Sequence, residues 1–92
     1  MSHYFRQDFF RAPDGASLFY ELRGDGGVPA ILCDGLGCDG FVWKYLWPVL
    51  TARRKVMHWH YRGHGLSPAP PDPTRIGVEF TCDDLLRLMD HL

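Results

Sequence analysis

The chain has 92 residues, 46% hydrophobic, 14% aromatic and 23% charged, which fits one small folded domain and excludes intrinsic disorder and a membrane-embedded bundle. Ten Lys and Arg against eleven Asp and Glu leave a formal charge of −1. Apart from Arg53-Arg54-Lys55 the basic residues are scattered, so there is no phosphate-neutralising stripe and no nucleic-acid partner is expected.

The N-terminus, Met1-Ser-His-Tyr-Phe-Arg-Gln-Asp, lacks the basic-then-apolar build of a secretory leader. The longest run free of Asp, Glu, Lys and Arg, Gly63 to Pro71, falls far short of the ~20 residues of a bilayer span. Cys33, Cys38 and Cys82 cannot all pair within the chain and read as reduced thiols, Cys33 and Cys38 in core or loop packing, so a cytoplasmic protein without membrane contact is expected.

The aromatic run Tyr4 to Phe10 predicts a strand, and Ala12-Pro13-Asp14-Gly15 a turn, with Pro fixing φ and Gly allowing it to be positive. In Ala16 to Arg23, Leu18, Tyr20 and Leu22 alternate with Ser17, Phe19, Glu21 and Arg23, the period of a half-buried strand that closes an antiparallel hairpin. After Gly24-Asp25-Gly26-Gly27, the apolar Val28 to Cys33 predicts a strand covered on both faces. Asp39 is the N-cap of a helix expected to reach about Ala52, bent or shortened by Pro48. Lys55 to Tyr61 predicts another strand, and Pro68, Pro70, Pro71 and Pro73 make the next stretch a loop. A last helix is expected with Thr81 as N-cap and Asp84 in a capping-box position. Leu85, Leu88, Met89 and Leu92 form its apolar stripe, and Glu79, Asp83 and Asp84 complement its dipole. Two strands followed by strand, helix, strand, helix is an α/β pattern whose later strands lie parallel.

The segment Ala30-Ile-Leu-Cys-Asp-Gly-Leu-Gly-Cys-Asp-Gly-Phe-Val-Trp resembles the third strand and oxyanion loop of the α/β-hydrolase fold family. Val56-Met-His-Trp-His-Tyr-Arg-Gly-His-Gly-Leu-Ser resembles the family's fourth strand with its Asp-x-Arg-Gly-x-Gly-x-Ser ending. The resemblance covers essentially the whole chain but only about the first third of a family member. It implies a partial α/β-hydrolase fold over residues 1–92, ending before the nucleophile elbow, with strand four between strands two and three. In a complete serine hydrolase of this kind the Gly-x-Ser-x-Gly nucleophile, the acid and the His come later in the chain. What falls here is one oxyanion donor, the backbone N–H of Leu36. The implied activity is esterase-like acyl hydrolysis of a small-molecule substrate without a cofactor, absent from this chain alone. Asp34 stands where the family often has His, and His60 where Asp commonly precedes Arg-Gly-His-Gly.

Ser67, in Gly65-Leu66-Ser67-Pro68-Ala69, mimics an elbow, but Pro68 has no N–H to serve as an oxyanion donor, so Ser67 reads as a brace of the Arg-Gly-His-Gly loop. His58, His60 and His64 compose the sharp alternative, a zinc trio in a small non-catalytic binding protein. Trp43, Trp47 and Trp59 read as core and cavity wall. The strand at Ala30 to Cys33, with no further strand beside it, is an apolar edge expected to self-associate.

Overall fold

The computed structural model describes residues 5–34 and 43–92. They form strands β1 (Phe5–Arg11), β2 (Ser17–Arg23), β3 (Ala30–Cys33) and β4 (Val56–Trp59), with helices α1 (Trp47–Thr51) and α2 (Val78–His91). The sheet order is β1-β2-β4-β3, with β1 and β4 antiparallel to β2, and β3 parallel to β4. Placing β4 between β2 and β3 is the arrangement the resemblance implies.

The hairpin forms where turn chemistry allows it. Gly15 takes φ 91°, a left-handed conformation open to glycine, and Ala12 exchanges backbone hydrogen bonds with Ala16 and Gly15 across the turn. β1 is the outer strand, and Arg6, Asp8 and Arg11 along it discourage pairing with a further chain. β2 keeps the predicted period of two but is buried throughout its interior rather than half-buried, because it lies centrally with cover on both faces.

On one face Leu18, Tyr20, Leu22, Met57 and Trp59 pack beneath Leu88 of α2. On the other, Leu32 and Val56 pack against Trp47 of α1. Trp47 and Trp59 are therefore core, as their composition suggests, and Trp43 is half-buried beside the second cluster.

Three expectations need correction. The strand predicted from Val28 begins at Ala30: Val28 is exposed, Leu32 alone is buried, and Cys33 is exposed, because β3 borders the sheet instead of lying within it. Cys33 is therefore not core packing, and Cys82 is exposed as well. Within the described residues α1 is a single short helix starting at Trp47, with Pro48 in its first turn, where a missing N–H leaves no bond unmade. The Asp39 cap lies outside the described residues.

The last helix begins at Val78, three residues before the predicted Thr81 cap, with Gly77 as its N-cap. Asp84 is consequently well inside the helix, fully buried on the same face as Leu88. Met89 and Leu92, expected in the core, border an apolar groove of about 260 Å³ beside Ile31 of β3 and Met57 of β4. No helix among the described residues is long and apolar enough to cross a membrane.

Candidate functional site

The C-terminal ends of β3 and β4 gather polar side chains that the apolar sheet would otherwise exclude. His58 on β4 is the register partner of Glu21 on β2, which puts the two side chains on one face. Its Nδ1 lies 3.0 Å from Glu21 Oε1, and its Nε2 lies 2.9 Å from each Asp34 carboxylate oxygen. Ionised carboxylates only accept, so a His58 ring that keeps both bonds donates from both nitrogens, as an imidazolium does. Burial opposes that charge, yet the hydrogen bonds and charges of Glu21 and Asp34 outweigh it and hold the imidazole above its ordinary value. Glu21 is held below the ordinary glutamate range by its bond with His58, against its own burial.

The outer side of this triad is also satisfied. Gln7 Nε2 donates to Glu21 Oε2 at 3.2 Å, and Arg23 stands 3.5 Å from the same oxygen, its guanidinium 4.3 Å from the Trp47 ring centroid. Trp43 Nε1 donates to Asp34 Oδ1 at 2.6 Å, and the Tyr61 hydroxyl donates to the Asp34 carbonyl at 2.6 Å. Burial, with Cys33 and Asp34 nearby, pushes the Tyr61 phenol up to about 12. Asp34 at the end of β3 thus receives Trp43 at its side chain and Tyr61 at its backbone.

His60 serves the next loop. Its Nδ1 accepts the Leu66 N–H at 2.9 Å, so the ring is the neutral tautomer with its proton on Nε2. Ser67 Oγ donates to the His60 carbonyl and accepts the Phe19 N–H, both at 2.8 Å. The His60 imidazole therefore braces the loop through the Leu66 N–H, and the Ser67 hydroxyl ties the loop to β2. Ser67→Ala strands the buried Phe19 N–H, and chemical denaturation should show a loss of ~1–3 kcal/mol. Gly65 has φ 53°, and a Cβ there would stand 2.5 Å from His60 Nδ1. Gly65→Ala should therefore destabilise by ~1–3 kcal/mol in the same measurement, since strain and clash act together.

Arg62 is 2% exposed and donates to both oxygens of Asp84, to Asp14 and to the Arg75 carbonyl. The Arg-Gly-His-Gly loop is therefore structural, with Gly63 at φ 73°.

Asp34, His58 and His60 each offer a ligand atom within 4.8 Å of the others, all three residues being buried. The expected trio of His58, His60 and His64 does not gather, because His64 Nδ1 donates to the Arg62 carbonyl instead. The observed set fits a metal poorly. His58 Nε2 is spent on Asp34, and ligation through His60 Nε2 would require a proton on the Nδ1 that accepts from Leu66. Leu36, the oxyanion candidate, lies outside the described residues. Sequence reading missed Glu21 and the inward Asp84. A lone carboxylate within an apolar strand or stripe was the available signal, but it points to no partner without the register.

No family model matches the chain. It is 35% identical over 74 residues to the dihydrolipoyllysine-residue acetyltransferase component of an acetoin cleaving system from Pseudomonas putida, covering 80% of this chain and 20% of that protein. It is 32% identical over 80 residues to bifunctional epoxide hydrolase 2 of Sus scrofa, covering 85% of this chain and 14% of that one. Among solved structures, a hydrolase from Pseudomonas aeruginosa superposes with TM-score 0.82 at 32% identity, over 94% of this chain and 32% of the other. The chain thus spans a fifth or less of these curated relatives and about a third of the solved hydrolase.

Proposed function

The chain belongs to the α/β-hydrolase fold family, and from that premise we propose that residues 1–92 are the N-terminal part of one hydrolase domain whose nucleophile lies beyond them. The observation that carries the reading is the position of Asp34, which directly follows β3 at the C-terminal end of a parallel strand pair, the end at which open α/β sheets bind ligands.

In the complete protein a serine nucleophile attacks a small ester or related acyl substrate, a later His takes its proton, and the Leu36 N–H donates to the developing oxyanion. No cofactor is required, and the protein works in the cytoplasm. The open edge of β3 and the groove beside Met89 and Leu92 accept the continuation of the same sheet. The rival reading, a free-standing metal-loaded interaction protein, is not favoured: His64 is turned away and His60 is committed to Leu66.

The test is intact mass of the protein from its natural source combined with labelling by a fluorophosphonate, which captures an activated serine. A mass several times 10.6 kDa with one labelled serine after residue 92 is expected, together with no ester turnover by the 92-residue chain. Turnover of an activated ester by that chain would overturn the reading, and a native mass of 10.6 kDa would replace it with the self-associating binding protein. A long native chain that resists the probe but opens epoxides would move the nucleophile from Ser to Asp.

A further inference from the structure

We propose that His58 is a positioning residue with two settings: as an imidazolium it clamps Asp34 and Glu21 together and so fixes the Trp43 indole, and on losing its proton it releases the Asp34 carboxylate. The inference rests on the described residues and does not depend on the hydrolase reading.

The geometry leaves a neutral ring no way to keep both bonds. His58 is 1% exposed and lies between two acceptors at 3.0 and 2.9 Å, so no water can substitute as a donor. A neutral imidazole has one N–H, and its bare nitrogen would face an ionised carboxylate. Glu21 keeps a cation beside it, Arg23 at 3.5 Å, as well as the Gln7 amide. Among the described residues the Asp34 carboxylate has, besides His58, one neutral side-chain donor, the Trp43 indole, so it is the carboxylate left without a cation and the partner that yields.

Among the described residues the groups facing His58 are few. β2 contributes Glu21 and Arg23, the end of β3 contributes Asp34, and β4 contributes His60, whose ring stands edge-on with its centroid 5.2 Å away. α1 contributes only Trp47, also edge-on at 6.1 Å. A protonated His60 would lose its bond from Leu66 and oppose the His58 charge, so the clamp operates with His60 neutral.

The experiment is a pH titration of the native protein by NMR, following the His58 ring nitrogens and the Trp43 indole N–H. At mildly acidic pH both ring nitrogens should carry protons. The Trp43 resonance, reporting its 2.6 Å bond to Asp34, should step at the same midpoint as the His58 ring, above the ~6.5 of an ordinary imidazole. His58→Gln should abolish the Trp43 step, Glu21→Gln should move it to lower pH, and His60→Gln should leave it in place. A single proton on His58 at mildly acidic pH, a Trp43 signal that ignores the His58 midpoint, or a step surviving His58→Gln would each overturn the proposal. If His58→Gln does not fold, Glu21→Gln decides: an unmoved midpoint refutes the clamp.

Discussion

Arg62→Ala should cost ~3–5 kcal/mol of folding stability, read as a fall in the denaturant midpoint at neutral pH. Nε and Nη2 of Arg62 meet the two oxygens of Asp84 at 2.7 Å each, a bidentate pair, while Nη1 meets Asp14 Oδ2 at 2.8 Å and the Arg75 carbonyl at 3.0 Å. One guanidinium thereby joins the β1–β2 turn, the loop after β4 and helix α2. Such a pair adds little over an apolar replacement of both partners, since two desolvated charges offset much of their attraction. Removing one partner is a different matter. Asp84 is fully buried, and without Arg62 its carboxylate keeps the desolvation cost and loses the compensation.

Arg62→Lys should lose less than the alanine but still weaken the fold measurably, because a single ammonium cannot span Asp84 and Asp14 with the same fork. The double replacement Arg62→Leu with Asp84→Leu should recover much of the loss. A single-alanine loss below ~1 kcal/mol would show that the buried pair is not what joins these elements. Acid should loosen the same junction from its other side: Arg62 holds Asp14 well below the ordinary aspartate range, against a modest opposing effect of burial. Its contribution is complete above ordinary carboxylate values and fades only in strong acid.

What sequence made legible was whatever depends on neighbours in the chain. Pro13-Asp14-Gly15 marked the hairpin turn, the alternation from Leu18 to Leu22 marked the face beneath α2, and the two family-like segments placed β4 between β2 and β3. What stayed hidden depends on partners that only the register supplies. Glu21 looked like a solvent-facing position because period two separates two faces without saying whether the second is wet; β4 and α1 make it dry. Asp84 fitted a capping box as well as it fits its real place, and only the presence of Arg62 opposite decides between them. His58 was visible as a possible ligand but not as an imidazolium, since neither carboxylate lies near it in sequence. The third histidine of the expected trio failed for a local reason: the Gly63 turn sends His64 back to the Arg62 carbonyl.

His58→Gln should be as damaging at neutral pH as Arg62→Ala, ~3–5 kcal/mol, but its cost should depend on pH in a way that no cavity or clash would. In the unaltered protein, His58 has its proton affinity raised by folding, so its contribution is fully present below the ordinary imidazole value of 6.5 and is lost as pH rises through the higher folded value. Glu21 has its affinity lowered, so its contribution is present above the ordinary 4.5 and is lost as pH falls through the lower folded value. The triad is therefore at full strength from about 4.5 to 6.5, with a decline on each side. In the glutamine variant the basic decline vanishes with the imidazole. The acid side reverses sign, because Glu21 and Asp34 then flank a neutral amide with Arg23 as the one cation beside Glu21, and a proton taken up by Glu21 relieves the uncompensated charge. Thermal unfolding measured from mild acid to mild base should show the variant losing ground to the parent most in the neutral range and regaining it toward acid. Parallel curves for the two proteins would mean that the side chains pack there without sharing charge, whereas convergence in acid would identify the missing proton as the one His58 carries.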